Sequence, residues 1–244
     1  MFPKMLFVVT ILLSFFCVKN TSQKVPVTVY YESLCPDSRK FITTQLYPVL
    51  QTNVSKWVNL TLVPYGKSNY TQEADNEWKF FCHHGPFECH GNKIQACALH
   101  EIENSVPTPN NYAFNPVTLA FINCLMNKTS KNIDGYDFPI GECAKTANVP
   151  NYVSIENCAN HTVGSTYLAA LGEQTHQFQK TLISVPTIVF NNRYDKQEST
   201  DASNFFNQIL CKYITQPLEE CQNHGLTLKA SLLLLTLTFV HFVF

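Results

Sequence analysis

The alternation of apolar and polar residues marks a strand–helix–strand unit near the start of the chain. The run Val27–Tyr31 is β-branched and aromatic, which predicts a strand. Apolar residues recur at helical spacing over Arg39–Leu50, and Pro48 is expected to disturb the end of that helix. Val58–Val63 alternates apolar and polar residues, as a second strand does. Such a unit predicts a parallel strand pair with a right-handed crossover, and a ligand site beyond the carboxyl ends of the strands.

The middle of the chain, residues 65–181, differs in character. It combines six cysteines with turn residues and short helical patches, which predicts a disulfide-rich, mostly helical insertion. Within it, Pro116–Met126 has helical spacing, Gly135–Pro150 is predicted to be loop, and Gly164–Leu182 is predicted to be a longer helix that leads back to the sheet.

A last strand and helix complete the predicted α/β fold. Thr187–Phe190 predicts a strand, and Pro186 lies where a missing amide N–H is tolerated. Asn191–Asn192 predicts a hairpin turn, because asparagine tolerates positive φ. We expect Arg193–Glu198 to return as an edge strand and Asp201 to cap the following helix.

The N-terminus predicts entry into the secretory pathway. Lys4 is followed by the apolar run Met5–Val18, so residues 1–22 have the layout of a signal peptide, with cleavage expected near Asn20–Ser22. Besides Asn20, five asparagines begin N-x-S/T sequons and are predicted to be glycosylated. They are Asn53, Asn59, Asn69, Asn127 and Asn160.

A second apolar stretch ends the chain. From Ala230 it has only about fifteen residues, short of the roughly twenty that span a bilayer. With Asn223–Gly225 ahead of it, the segment 223–244 resembles a glycolipid-anchor signal, although its polar spacer is short. A short membrane tail and an uncleaved tail are the alternatives. The body of the protein is then one domain, residues 23–222.

Composition supports a single substantial core. The 244 residues are 45% hydrophobic and 14% charged, enough for one domain with elaborations. The net charge of −1 does not favour a nucleic-acid partner, which would require a basic patch.

The number of cysteines singles out Cys35. Of ten cysteines, Cys17 lies in the predicted signal peptide, so an odd nine remain, and one has no intramolecular partner in an oxidising compartment. Cys35 directly precedes Pro36 at a predicted helix start, where amide groups and the helix dipole favour the nucleophilic thiolate. The other eight could form four bridges in any of 105 connectivities. They are Cys82, Cys89, Cys97, Cys124, Cys143, Cys158, Cys211 and Cys221.

One cysteine-rich segment resembles a known family. The stretch C-H-H-G-P-F-E-C-H-G-N-K-I-Q-A-C is similar to the signature C-Q-H-G-x-x-E-C-x-x-N-x-x-x-x-C of the gamma-interferon-inducible lysosomal thiol reductases. His83 replaces the usual glutamine. The matching residues are Cys82, His84, Gly85, Glu88, Cys89, Asn92 and Cys97. With Cys35 and Pro186, the resemblance covers roughly Val25 to Cys221.

The resemblance implies a thioredoxin-like fold with a helical insertion. It implies residence in the endosomal and lysosomal system or secretion, and reduction of protein disulfides at acid pH. It also implies that Pro186 follows a cis bond and faces the redox sulfur, so that the backbone of Val185 can pair with a bound substrate.

The sequence departs from a two-cysteine site at Ser38, so the motif reads C-P-D-S. A second cysteine normally resolves the mixed disulfide, and Ser38 cannot do so. Its hydroxyl could donate a hydrogen bond to the Cys35 thiolate, whereas the charge of Asp37 would oppose thiolate formation. We therefore predict a disulfide reductase that acts on disulfide-bonded proteins with a small-thiol reductant, and keep a redox-impaired binding module as the alternative.

The remaining polar and aromatic signals favour structural roles. His83, His84 and His90 lie among cysteines, as in a zinc site, but an oxidising compartment favours bridges, so we predict neither a metal nor a cofactor. Glu88 and Asn92 are interpreted as structural. The tyrosines of the first strand and the Phe80–Phe81 pair are expected in the core.

Overall fold

The computed structural model describes residues 23–73 and 77–222. The predicted signal peptide and the C-terminal apolar stretch lie outside the described residues. Within the described part of the chain, no helix combines the length and the apolar character that crossing a membrane requires.

The described residues form short strands separated by helices. The strands are β1 (Val25–Tyr31), β2 (Val58–Pro64), β3 (Asn69–Gln72), β4 (Trp78–Phe81), β5 (Ser130–Asn132), β6 (Gly135–Asp137) and β7 (Thr187–Phe190). The helices are α1 (Pro36–Phe41), α2 (Tyr47–Leu50), α3 (Pro86–Ser105), α4 (Pro116–Lys128), α5 (Ile140–Ala147), α6 (Tyr152–Asn160), α7 (Thr162–Phe178) and α8 (Lys196–Cys211). A π-helical segment, Ile42–Leu46, joins α1 to α2, and a 3-10 turn, Asn53–Trp57, precedes β2.

A central sheet has the strand order β2–β1–β7. β1 and β2 are parallel, with Val25 opposite Val58, so the predicted parallel pair is confirmed. β7 runs antiparallel to β1, with Val27 opposite Phe190. The carboxyl ends of β1 and β2 therefore meet the start of β7 at one edge of the sheet, and this edge carries the site described below.

Strand periodicity divides the core between the two faces of the sheet. Val27, Val29 and Tyr31 lie in one buried cluster, together with side chains of α1, α3, α4 and α8. Tyr30 points to the other face, where it shares a smaller cluster with Cys35 and with side chains of α7. This arrangement follows from the alternation of side chains along a strand.

The predicted helix over Arg39–Leu50 forms, with a local change of winding. Pro48 has no N–H to give to the carbonyl of Thr44, and the π-helical segment lies directly before it, where the amide of Tyr47 donates to the carbonyl of Ile42. The disturbance lies ahead of the proline, and the helix still ends at Leu50.

The segment between β2 and β7 is mostly helical, but one part of it was predicted wrongly. Gly135–Pro150 is not a loop, because it contains β6 and the helix α5. Buried residues Ile140, Cys143, Ala144 and Ala147 form one face of α5, a spacing that outweighs the turn residues around it. The predicted helix at Gly164–Leu182 is observed as Thr162–Phe178.

The hairpin turn predicted after β7 forms, because the amide of Arg193 donates to the carbonyl of Phe190 at 2.9 Å across Asn191–Asn192, but the edge strand predicted at Arg193–Glu198 is wrong. Asn191 and Asn192 do adopt positive φ angles of 51° and 57°, but Arg193 then makes only an isolated bridge to Phe190. The helix α8 begins at Lys196 because the side chain of Asp195 accepts a hydrogen bond from the amide of Glu198, at 2.8 Å. Asp201 therefore lies inside the helix and does not cap it.

Phe80 and Phe81 differ from the expectation of a core pair. Phe81 is 52% exposed. Phe80 is half-buried beside Tyr70 on the β3–β4 hairpin, with ring centroids 6.2 Å apart. The hairpin alternates side chains between its faces, so two consecutive phenylalanines cannot both face the interior.

Candidate active site

Cys35 lies between the end of β1 and the start of α1. It is the N-cap residue of α1, Pro36 is the first helical residue, and the amide of Arg39 donates to the Cys35 carbonyl at 3.0 Å. Cys35 is 6% exposed, and among the described cysteines it is the free thiol. Its sulfur therefore lies at the N-terminus of a helix, as the sequence predicts.

The loop that precedes β7 faces this sulfur. The Val185–Pro186 peptide bond is cis, and the carbonyl oxygen of Val185 lies 4.0 Å from Sγ of Cys35. The hydroxyl of Thr187 donates to the carbonyl of Ser184 at 2.6 Å, which connects this loop to the start of β7. The neighbouring groove is lined by polar side chains, among them Asp37 and Lys40.

Ser38 is fully buried and makes a structural bond. Its Oγ accepts a hydrogen bond from the amide of Glu32 at 3.3 Å, which ties the first turn of α1 to the end of β1. A hydroxyl that accepts one bond can still donate its own hydrogen. The described contact of Ser38 is thus with the backbone that precedes Cys35.

Glu32 is a buried carboxylate beside the thiol. Its side chain is 0% exposed, and Oε1 accepts a bond from the amide of Lys67 at 2.8 Å. Oε2 lies 3.4 Å from Nδ1 of His83 and 3.3 Å from Nδ1 of His84. Gly66, with a φ of +63°, packs against it so closely that a Cβ there would lie 2.2 Å from the Glu32 side chain.

Glu88 is a second buried carboxylate of this cluster. Its Oε2 lies 2.6 Å from Nδ1 of His84, and its Oε1 accepts a bond from the backbone amide of His84 at 2.9 Å. Burial raises the pKa of Glu88, and the charge of Glu32 acts in the same direction, while the bonds to His84 act against it. Two carboxylates therefore converge on one imidazole nitrogen.

The start of α3 is fastened directly to the loop that carries the thiol. Asn92 accepts a hydrogen bond from the amide of Ser33 at 2.8 Å, and the Ser33 hydroxyl donates to the carbonyl of Glu88 at 3.2 Å. A disulfide joins Cys82 to Cys89 across the turn before the helix. The signature segment thus supports the loop that carries Cys35. The contact that Asn92 makes with this loop is a structural one.

The sequence pattern did not single out Glu32, and it indicated no role for His84 at the thiol. The signal for Glu32 was present: it is an acidic residue at the end of an apolar strand, three positions before the thiol. The signal for His84 was its place in the signature, but its distance from Cys35 depends on tertiary packing.

Among the described residues, Cys35, Glu32 and His84 form the group whose donor atoms lie close enough together to hold a metal ion. One ligand atom from each lies within 4.8 Å of the other two. Nδ1 of His84 already contacts Oε2 of Glu88 at 2.6 Å, so we assign no metal to this group. The zinc alternative built on Cys82, Cys89 and Cys97 fails, because those sulfurs are bound in disulfides.

The described chain joins its other eight cysteines in four bridges. Cys82–Cys89 lies beside the site, Cys97–Cys158 joins α3 to α6, Cys124–Cys143 joins α4 to α5, and Cys211–Cys221 closes the end of α8. The structure thus selects one of the connectivities that the sequence left open. The asparagines of the five sequons are all exposed.

Comparison with known proteins gives matches over most of the chain. Residues 26–147 match the family described as "Gamma interferon inducible lysosomal thiol reductase (GILT)". The chain is 42% identical to "GILT-like protein 1" of Drosophila melanogaster, over 84% of this chain and 81% of that protein. It is also 42% identical to the "Gamma-interferon-inducible lysosomal thiol reductase-like protein" of Anopheles gambiae, over 89% of this chain and 88% of that protein.

A solved structure shares the fold at low sequence identity. The crystal structure of Chlamydia trachomatis DsbA superposes with a TM-score of 0.51 at 15% identity, covering 88% of this chain and all of that one. This likeness confirms the predicted thioredoxin-like fold, into which the described chain inserts its disulfide-linked helices between β2 and β7.

Proposed function

This chain belongs to the gamma interferon inducible lysosomal thiol reductase family, and we propose that it is a thiol–disulfide oxidoreductase that works through the single nucleophile Cys35. The observation that carries the proposal is the placement of one free thiol at a helix N-terminus, facing the Val185–Pro186 loop. The eight other described cysteines are engaged in bridges and are not available as resolving thiols.

The reaction balances with two small thiols as the reductant. The Cys35 thiolate attacks a substrate disulfide, forms a mixed disulfide and releases one substrate thiol. A small thiol then attacks the sulfur of Cys35, which frees the second substrate thiol. A second small thiol regenerates Cys35 and leaves the two small thiols joined as a disulfide. The hydroxyl of Ser38 cannot replace either of these thiols.

The substrates in this proposal are disulfide-bonded proteins presented as extended segments. The carbonyl of Val185 borders the thiol and offers a backbone partner to a bound strand. Ile183, two residues before it, is 70% exposed and can contact apolar side chains of such a segment. Pro186 is buried and fixes the course of this loop.

We further propose that the protein acts in the endolysosomal or extracellular space. The apolar N-terminal run, the four described bridges and the five exposed sequon asparagines support an oxidising, glycosylating route. The names of the family and of the Anopheles gambiae relative include the word lysosomal, which supports the endolysosomal compartment.

A direct test compares the wild type with Cys35→Ser and Cys35→Ala. Both variants should reduce a disulfide-bonded protein at least about 100-fold more slowly at acid pH with a small-thiol donor, because nucleophile and leaving group are lost together. The two variants control for each other, since alanine lacks the hydroxyl that serine introduces. Activity close to that of the wild type in both, with an unchanged thermal unfolding curve, contradicts the proposal.

The single-cysteine mechanism is tested by Ser38→Cys. A second thiol one turn along α1 should attack the mixed disulfide at Cys35, so trapped substrate should be released without any added small thiol. Mass spectrometry of the oxidised variant should show a disulfide between Cys35 and the introduced thiol. If the mixed disulfide persists equally in both proteins, the idea that residue 38 limits resolution is wrong.

A second candidate function follows from the buried hydroxyl of Ser38. Without a second thiol, a mixed disulfide at Cys35 lasts until a small thiol arrives, so the protein would hold its partners covalently. Mixed disulfides recovered after rapid acid quenching distinguish the two functions. A holding protein keeps them in the presence of small thiols at physiological concentration, whereas a reductase clears them.

A further inference from the structure

The cluster around Cys35 contains more buried carboxyl oxygens than its hydrogen-bond donors can satisfy. Glu32 and Glu88 are both 0% exposed in their side chains, and both direct Oε2 at Nδ1 of His84, from 3.3 and 2.6 Å. A single ring nitrogen has at most one hydrogen to donate. Among the described residues, Oε2 of Glu32 accordingly has no hydrogen-bond partner.

Such an arrangement favours an additional proton at this position. Burying two carboxylates is costly unless each is paired with a positive charge or a hydrogen-bond donor. An imidazolium formed at His84 when it takes up the Cys35 proton lies between the two carboxylates and supplies that charge. The pKa of Glu88 is raised by burial, which also favours retention of a proton in the cluster.

The same cluster adjoins the reactive sulfur. A ring nitrogen of His84, a carboxylate oxygen of Glu32 and Sγ of Cys35 lie within 4.8 Å of one another. In uncomplexed enzymes, catalytic hydrogen bonds are often long and shorten when substrate binds. His84 is 31% exposed in its side chain, so it can also exchange protons with solvent.

We propose that His84 is the catalytic acid and base of Cys35, and that Glu32 and Glu88 are positioning residues that hold its imidazole. This inference rests on the proposed function and adds to it the residue that moves the proton.

The proposed step is balanced within the site. His84 accepts the proton of the Cys35 thiol, and the thiolate attacks one sulfur of the substrate disulfide. The Cys35–substrate sulfur bond forms as the substrate S–S bond breaks, and the second substrate sulfur leaves with the electron pair. His84 then returns the proton to that leaving thiolate. The product is a mixed disulfide and one free thiol.

The other charged groups around His84 fit this role. His83 contacts the same oxygen of Glu32, and Lys67 lies 3.5 Å from Nε2 of His83 through its Nζ. Asp37 is exposed in the first turn of α1. Once it has taken up the Cys35 proton, His84 places a positive charge beside the thiolate, which stabilises it, and it also provides the acid for the leaving group.

The test measures single reactions of Cys35 and therefore does not need turnover. Iodoacetamide alkylation as a function of pH reports the thiolate. Two disulfide probes are then used: an aromatic disulfide, whose leaving thiolate is stable without a proton, and an alkyl disulfide, whose leaving thiolate is strongly basic. His84→Gln and Glu32→Gln are compared with His100→Asn, a half-exposed histidine on α3 away from the thiol.

The expected result is selective. The rate with each disulfide probe is divided by the alkylation rate, which corrects for the amount of thiolate. On this scale, His84→Gln should slow the reaction with the alkyl disulfide on the order of 100-fold and leave the reaction with the aromatic disulfide nearly unchanged. Its alkylation profile should shift to higher pH. Glu32→Gln should move both measurements in the same direction by a smaller factor, and His100→Asn should move neither.

Unchanged alkylation and an unchanged ratio of the two disulfide rates in His84→Gln would overturn the inference. An equal loss with both disulfides assigns His84 a structural role and overturns it as well. If His84→Gln does not fold, Glu32→Gln decides by the same two criteria. The proposed function fails separately, when wild-type Cys35 reacts once with the disulfides but does not turn over with a small thiol.

Discussion

At the scale of single residues, the candidate site is defined by polar groups that are buried next to a thiol. Glu32 occupies the end of a strand whose other side chains are mostly apolar, and it is held there by the Lys67 amide and the close approach of Gly66. The Ser38 hydroxyl accepts a hydrogen bond from the Glu32 amide, and the Ser33 amide donates to the side chain of Asn92. The position of Cys35 is therefore fixed from both sides by hydrogen bonds that no apolar substitution can replace.

Glu88 makes the stability of the protein depend on pH. Because burial raises its pKa above the ordinary value of 4.5, the folded state binds this proton more tightly than the unfolded state. The associated stability is fully present below 4.5 and is lost as the pH rises through the raised pKa. Glu88→Gln, which never ionises, should lose stability relative to the wild type at acid pH and regain it towards neutral pH.

Urea unfolding of wild type and Glu88→Gln, below 4.5 and at neutral pH, measures this difference. Glu103→Gln, an exposed carboxylate on the same helix, is the matched control and should show no such trend. If the stability that Glu88→Gln loses relative to the wild type increases as the pH rises, the predicted direction is wrong.

At the scale of elements, α8 packs against β7 and α1. The ring of Phe206 lies 5.6 Å from that of Phe41 in α1 and 5.9 Å from that of Phe190 in β7, measured between centroids. Phe205, the residue before it, has non-helical backbone angles and is 56% exposed. The helix therefore presents one of two adjacent phenylalanines to the core and the other to solvent.

This contrast gives a matched pair of substitutions in one helix. Phe206→Ala should lower the free energy of unfolding by about 3–5 kcal/mol, because it removes a buried ring and leaves a cavity. Phe205→Ala should change it by less than about 1 kcal/mol. Chemical denaturation of both variants measures the difference, and comparable losses would show that Phe206 does not anchor α8.

At the scale of the whole molecule, disulfides tie the inserted helices to one another and the end of α8 to the chain that follows it. The Cys97–Cys158 bridge spans 61 positions and joins α3 to α6, whereas Cys211–Cys221 spans 10. A bridge stabilises the fold mainly by restricting the unfolded chain, and it restricts it more when the loop is longer. The long bridge is therefore expected to contribute more to global stability.

Paired alanine substitutions test this order. Replacing Cys97 and Cys158 together should cost about 4 kcal/mol, and replacing Cys211 and Cys221 together about 3 kcal/mol. Denaturation midpoints and slopes of the two double variants give the comparison. A larger loss from the short bridge would mean that native packing, and not chain entropy, sets the contribution of each.

The sequence by itself determined the local elements, the unpaired thiol and the family. Apolar periodicity located β1, β2, β7 and the helix after Cys35, because side-chain spacing follows directly from backbone geometry. The odd number of cysteines and the Cys82–Cys97 signature singled out the site. The prediction failed at Arg193–Glu198, where Asp195 begins a helix, and at Gly135–Pro150, where burial of one face stabilises α5.

Only the tertiary structure decided which cysteines pair and which polar groups meet at the thiol. Glu32, His84 and Glu88 come from the end of β1, the turn before α3 and the first turn of α3. Their approach depends on how α3 packs against the Ser33 loop through Asn92, a contact between residues far apart in the chain. Local patterns carry no information on such distances, which are set by the packing of the whole core.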